Sequence, residues 1–242
     1  MVNMCNSFGK RTGLEFNSKK SVCIDFHGRD GCSDTEKIKI LLNDKPLVWQ
    51  NNVKHLGHTL TCCSSFDKDL NIKKGQFVAC VNNVLTEFSF AHPKVKLQLM
   101  NIYGTSFYGS PLWDLYGNSA KKVYTTWNIA IRKLSNLPYR THVRFLDLLA
   151  DIHHIKVSLK IRFLKFIKIL HCSKSNLVQN VLSYALHTNV SPTGLNLARN
   201  FNEFDISKCD MSKCHESYLS SQVMSKYIHM CTLSTEESAH AR

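Results

Sequence analysis

The chain has 242 residues, which is enough for one large or two small domains with hydrophobic cores. Hydrophobic residues make up 43% of it and charged residues 20%, so the composition is that of a globular protein and excludes an intrinsically disordered one. The formal net charge of +13 favours a polyanionic partner such as nucleic acid, although a basic but otherwise ordinary protein has the same composition.

The cysteines and the hydropathy pattern bear on location. Ten cysteines occur without regular spacing, and the first twelve residues are polar, without the apolar segment of a secretory signal. We therefore expect free thiols in a reducing compartment, in the nucleus or cytoplasm, and no secretion. No apolar run approaches the ~18 residues of a membrane span, so we expect no membrane partner.

The first quarter of the chain alternates short apolar segments with turn residues. A helix up to residue 11 is stopped by Gly13. A chain that begins inside a helix suggests that an upstream part is missing. The predicted strands cover residues 14–16, 22–26, 38–42 and 47–49, with a turn at residues 17–20, a loop at 27–36 and a turn at 43–46.

Residues 53–60, with the sequence VKHLGHTL, alternate apolar and polar side chains on either side of Gly57. This period of two predicts a β-hairpin or a bent strand, with the glycine at a tight turn. Leu56 and Leu60 are expected to contribute to the core.

From residue 67 onward the apolar positions change to helical spacing. The change lies near residues 62–66, so the fold class predicted is α+β, with mixed strands before that point and helices after it. The predicted helices cover residues 67–88, 93–107, 119–137, 142–150, 154–172 and 176–187.

Two of these segments together resemble the end of the palm domain in reverse transcriptases of LINE-like (non-LTR) retrotransposons. Residues 13–26, GLEFNSKKSVCIDF, resemble motif D of that family, and residues 53–60 resemble motif E, the primer grip. Further on, residues 127–134 and 137–142 resemble the region that follows in such elements. The resemblance implies a palm end at residues 1–62, a helical thumb and connection at 63–190, and a C-terminal extension at 191–242.

The resemblance also implies functional residues and an activity, RNA-directed DNA synthesis. Lys20 matches the motif D lysine, which lies near the incoming triphosphate; a surface lysine in a turn is the alternative. The positions that match the primer grip are His55, Leu56, Gly57 and His58.

The full-length enzyme would use Mg²⁺ held by aspartates, but this chain has no Asp–Asp pair, so we expect no metal and no cofactor in it and no polymerase activity from it alone. The nearest acidic cluster, Asp67 and Asp69, is interpreted as the solvated first turn of a helix.

The helical half carries the strongest basic pattern. Residues 152–202 contain neither Asp nor Glu, and helical spacing places Lys156, Lys160 and Lys174 on one side of the predicted helix. We expect these lysines and Lys168 to bind the backbone of an RNA template–DNA primer duplex. A solvated helix face, or a helix lying on a membrane surface, is the alternative. The sequence makes no prediction of the oligomeric state.

Three hypotheses follow. The first is a fragment of a non-LTR retrotransposon reverse transcriptase that contributes primer grip and duplex binding. The second is a non-catalytic basic module, or a decayed remnant, that binds RNA or DNA. The third is a zinc-dependent interaction domain, although the spacing of its candidate ligands fits no standard zinc pattern and scattered free thiols explain it better. These candidate ligands are Cys209, Cys214, His215, His229 and Cys231.

Overall fold

The computed structural model describes residues 2–26, 38–43, 45–63, 65–188 and 191–204. They divide into two compact units, one up to Asp69 and one from Leu70 onward. The described residues form eight α-helices and a few short strands, so the fold is mixed and fits the predicted α+β class in this coarse sense.

The helices are α1 (Val2–Thr12), α2 (Asp67–Glu87), α3 (Pro93–Leu99), α4 (Asn118–Leu134), α5 (Val143–Ala150), α6 (Ile155–His171), α7 (Asn176–Thr188) and α8 (Pro192–Phe204). The strands are β1 (Val22–Cys23), β2 (Leu41–Leu42), β3 (Lys45–Pro46), β4 (Val48–Trp49), β5 (Asn52–His55) and β6 (His58–Thr61).

The first unit contains three separate two-stranded pairings among its described residues. β1 pairs with β4 in parallel, whereas β2 with β3 and β5 with β6 are antiparallel. The predicted strand at residues 14–16 is wrong. The backbone N–H of Leu14 instead donates to the carbonyl of Gly9, which closes the end of α1 after the left-handed Gly13 (φ 69°). Asn43 ties this region together, because its N–H donates to Asn6 and its side chain donates to the carbonyl of Phe16.

The second unit is helical and holds most of the buried apolar side chains of the described residues. Phe77 of α2 stacks on Trp127 of α4 with ring centroids 5.7 Å apart, which joins two helices in its core. The predicted helix at residues 93–107 ends earlier than expected. α3 widens into a π turn at Met100–Gly104, where a Cβ on Gly104 would lie 3.2 Å from the Phe77 ring.

One helix of the second unit was not predicted. α8 lies within the segment interpreted as a C-terminal extension, and it packs against α7 and the short 3₁₀ turn Ser110–Leu112. Its inner face includes two fully buried asparagines, Asn196 and Asn200.

Candidate nucleic-acid interface

The grip-like segment forms the predicted hairpin. β5 and β6 pair in register from Asn52 opposite Thr61 to His55 opposite His58, which leaves Leu56 and Gly57 as a two-residue turn. Both turn residues are left-handed, with φ of 47° for Leu56 and 81° for Gly57. Paired left-handed residues give the turn the twist that matches two antiparallel strands. The left-handed conformation of these two residues therefore accounts for the hairpin.

Leu56 is an unusual residue for that position. Asn, Asp and Gly are the residues that normally occupy the left-handed positions of such a turn, and a leucine there costs on the order of 1 kcal/mol. Its side chain is 76% exposed, so the prediction that Leu56 belongs to the core is wrong. Leu60 is only partly buried. The turn thus holds an apolar side chain in solvent at a backbone position that disfavours it.

The β6 strand of the hairpin is held near the turn by a buried carboxylate. Asp69, which is 1% exposed, accepts a 3.0 Å hydrogen bond from the N–H of Thr59 through Oδ1. Its Oδ2 lies 3.5 Å from Nδ1 of His58. The hydroxyl of Thr61 donates to the carbonyl of Ser65, 2.6 Å away. The predicted helix start at Asp67 is confirmed. Asp69 is not solvated as expected, because its carboxylate is buried against Thr59 and His58 of β6.

The four grip-like residues therefore separate into two groups. His55, Leu56 and Gly57 are exposed together at the tip, whereas His58 lies against Asp69 and is largely covered. The first group can contact a ligand directly. His58 instead holds the tip in position.

The motif D-like turn is built around Asn17. Its Oδ1 accepts from the N–H groups of Lys19 and Lys20, at 3.0 and 3.2 Å, and its carbonyl accepts from Ser21. Asparagine forms such turns because its side chain mimics a backbone acceptor. The backbone of Lys20 is therefore fixed while its side chain is exposed.

The lysines of the basic helix do not share one environment. Lys156 and Lys168 are half-buried and Lys174, just beyond the helix, is exposed. Lys160 is 1% exposed, so its predicted place on an open basic face is wrong. The reason is that α8 brings Glu203, one residue beyond the acid-free span, into an ion pair with Lys160.

Lys160 and Glu203 belong to a compact polar cluster with Tyr116. The ammonium of Lys160 and the hydroxyl of Tyr116 both donate to Oε2 of Glu203, the latter at 2.9 Å. Burial lowers the pKa of Lys160 to about 8, with a further contribution from the charge of Lys156, while the hydrogen bond to Glu203 opposes this shift. Burial alone would raise the pKa of Glu203, but the hydrogen bond and charge of Lys160 hold it below its usual value. The pair is therefore ionised at neutral pH.

The two segments downstream of the grip serve packing. Trp127 and Ala130 are buried in the core. Arg132 donates from Nε and Nη2 to the carbonyl of Thr141, at 3.1 and 2.8 Å, and so closes the loop between α4 and α5. Core packing and the closure of this loop therefore explain why these two segments follow each other in the sequence.

The aspartates near the hairpin do not fit the Mg²⁺ that the resemblance implies for a full-length enzyme. Hard cations need several carboxylate oxygens at one point, and both oxygens of Asp69 face groups of β6. No group of three metal-ligating side chains occurs among the described residues. The zinc candidates Cys209, Cys214, His215, His229 and Cys231 lie outside them.

Comparison with known proteins adds no relative. No protein-family model, no curated protein and no solved structure matches this chain. Within the described ranges, none of the helices has the length and apolar character needed to cross a membrane.

Proposed function

We propose that this chain is the C-terminal part of a non-LTR retrotransposon reverse transcriptase, in which residues 1–62 are the end of the palm, residues 63–190 are the helical thumb and connection, and residues 191–242 are a C-terminal extension. Its role is to hold the duplex of RNA template and DNA primer, and the active enzyme is found in the nucleus or cytoplasm. The chain itself supplies no catalytic aspartates and does not extend a primer.

The observation that carries this proposal is the exposed tip of the hairpin. A left-handed leucine in solvent contributes nothing to the hairpin and costs backbone energy, so its presence is better explained by a contact with a partner. The neighbouring His55 and Lys54 are exposed and can donate hydrogen bonds to phosphate. An apolar tip between polar donors suits the end of a base-paired primer, where a sugar and a terminal base pair are accessible.

The charge of the chain supports a polyanionic ligand. The net charge is +13, and Lys174 and the half-buried Lys156 and Lys168 lie on or beside α6, in a span without acidic residues. A-form duplexes are bound largely through shape and backbone, so little sequence preference is expected. Lys20, which is exposed on a fixed turn, would face the triphosphate in the complete enzyme.

Substitution of Leu56 tests the proposal. We expect Leu56→Asn to weaken binding of an RNA–DNA duplex by about fivefold, or about 1 kcal/mol, because an apolar contact is lost. The same change should leave the hairpin as stable as before or more so, since asparagine tolerates the left-handed conformation. Fluorescence anisotropy with a labelled duplex measures the affinity, and denaturant unfolding measures the stability.

Two control variants separate the tip from general effects. Leu148→Asn removes a leucine that is 73% exposed on α5 and should leave duplex affinity unchanged. Lys174→Ala should reduce the slope of log affinity against log salt by about 1, whereas Leu56→Asn should not alter it. Wild-type affinity for Leu56→Asn, or an affinity that does not depend on salt, would reject the proposal.

The second candidate is a basic module that binds RNA or DNA without belonging to a polymerase. It is favoured by the sequence itself, which holds no Asp–Asp pair. Such a module should bind a duplex with a recessed 3′ end and one closed by loops equally well. A primer grip should prefer the recessed end, and this preference should be lost in Leu56→Asn.

A further inference from the structure

Among the described residues, the cluster around Glu203 contains more positive than negative charge. Lys160 donates to its carboxylate, and the guanidinium carbon of Arg199 lies 5.1 Å from the ring centroid of Tyr116, which also donates to that carboxylate. The charge of Lys156 acts on both Lys160 and Glu203. Among the described residues, Asp114 is a further acid that acts together with Glu203 on Tyr124 at the edge of the cluster.

The donors converge from different elements on one acceptor oxygen. Lys160 lies on α6, Tyr116 lies in the segment before α4, and Glu203 comes from the last turn of α8. The Lys160 ammonium also lies 5.0 Å from the centroid of the Tyr116 ring, which fixes the two donors relative to each other. A lysine ammonium and a phenol aimed at one oxygen form an anion-binding arrangement.

The cluster is closed on one side and open on the other. The side chain of Lys160 is 2% exposed, whereas that of Glu203 is 26% exposed. Solvent therefore reaches the carboxylate first and the ammonium only behind it. Removal of the carboxylate would open a small anion-sized space that ends at a buried positive charge.

A buried ammonium requires an anion, and carboxylate and phosphate oxygens accept charge-assisted hydrogen bonds in the same way. Glu203 supplies the anion from the chain itself, at the C-terminal end of a helix that is joined to the rest of the unit mainly through α7 and the 3₁₀ turn. This arrangement makes the carboxylate an internal competitor of any external anion.

We propose that Glu203 fills an anion-binding subsite of the helical unit, and that a phosphate group binds to Lys160 and Tyr116 when the carboxylate is removed or displaced. The phosphate is either free or part of a nucleic-acid backbone. The subsite lies wholly within the helical unit, so this inference does not depend on the hairpin or on a reverse-transcriptase origin.

Glu203→Ala in the full chain tests the subsite with inorganic phosphate as the probe. We expect this variant to bind phosphate at least about tenfold more tightly than the wild type, measured by calorimetry. We also expect phosphate to raise its thermal midpoint more than chloride does at the same ionic strength. Glu87→Ala, which removes the same charge from an exposed position at the end of α2, should bind phosphate like the wild type.

A second set of variants identifies the site of binding. Adding Lys160→Met to Glu203→Ala should abolish the gain, since the buried ammonium is the main donor. Should Glu203→Ala fail to fold, Glu203→Ser also vacates the space and removes the charge, and it should show the same preference for phosphate over chloride. No gain in either Glu203 variant, or a gain that survives Lys160→Met, would overturn the inference.

The source of the phosphate follows from a parallel titration with an RNA–DNA duplex. A duplex affinity that is higher in Glu203→Ala than in Glu87→Ala would identify backbone phosphate as a ligand of the subsite. Equal duplex affinities with tighter inorganic phosphate would identify a free phosphate.

Discussion

At the scale of single residues, His154 should make the stability of the helical unit depend on pH. It caps α6, with Nδ1 accepting from the N–H of Lys156 at 3.1 Å, and its Nε2 lies 3.2 Å from Oδ1 of Asn128. This arrangement needs a neutral ring that accepts at Nδ1 and donates at Nε2. Burial, together with the charge of Lys156, lowers the pKa of His154 from 6.5 to about 4.

The sign of the pH effect follows from proton linkage. Below pH 6.5 the unfolded chain takes up a proton on His154 that the folded chain resists until about pH 4. The free energy of unfolding should therefore fall as the pH drops through this window, by about 2 kcal/mol at pH 5 from this residue. Denaturant unfolding at pH 7 and pH 5 measures the change.

His154→Asn isolates this contribution, because asparagine can still cap the helix but does not titrate. The loss of stability between pH 7 and pH 5 should become smaller by about that amount. His153→Asn, a change at the exposed neighbouring residue, should keep the full pH dependence. An equal pH dependence in wild type and His154→Asn would contradict the assignment.

For two residues, Leu56 and Lys160, the sequence did not predict the degree of burial. The hairpin and its turn were predictable, since Gly57 and the alternation on either side of it require them. The exposure of Leu56 was not, because apolar character favours burial regardless of a turn position. The burial of Lys160 was not predictable either, because periodicity does not tell which side of α6 another helix covers, and Glu203 lies 43 residues away in the sequence.

At the scale of elements, α8 was missed for a physical reason. Helix prediction from sequence relies on apolar side chains at every third or fourth position. In α8 the buried positions include Asn196 and Asn200 beside Leu197, so its inner face reads as polar. By contrast, α4 and α5 have strong apolar faces and α6 is apolar on more than one side, and all three helices begin and end within a few residues of their predicted bounds.

Asn196 joins α8 to the loop before α4 in place of an apolar contact. Its Nδ2 donates to the carbonyl of Trp113 at 2.6 Å, and its Oδ1 accepts from the N–H of Leu115 at 3.1 Å. Both backbone groups would be left buried without these bonds. Since an unsatisfied buried group costs roughly 1–3 kcal/mol, Asn196→Ala should lower the free energy of unfolding by about 2–4 kcal/mol.

Chemical denaturation followed by circular dichroism measures this loss. Asn202→Ala, on the same helix at an exposed position, should change the stability by less than about 0.5 kcal/mol. Equal effects of the two substitutions would mean that the side chain of Asn196 does not hold α8 in place.

At the scale of the whole molecule, the two units differ in how much apolar surface they bury. Among the described residues up to Asp69, only Leu42 is a buried apolar side chain, while Phe16, Phe26, Ile38 and Val48 are at least about a third exposed. The strand pairings of the first unit are two to four residues long, and strands this short have marginal stability without a packed face. The helical unit buries two tryptophans and nine leucines among its described residues.

The two units should therefore differ in local stability within the intact chain. We expect backbone amides of α1 and of the β2–β3 pairing to exchange with deuterium at least about a hundredfold faster than those of α4 and α6, since a free-energy difference near 3 kcal/mol separates frayed from core elements. Hydrogen exchange followed by mass spectrometry resolves these segments. The β5–β6 hairpin should exchange more slowly than α1, because Asp69 holds Thr59. A duplex ligand that binds the tip should slow the exchange of the hairpin further. Equal exchange rates in both units would contradict the prediction and would mean that the first unit is stabilised by more than its own small core.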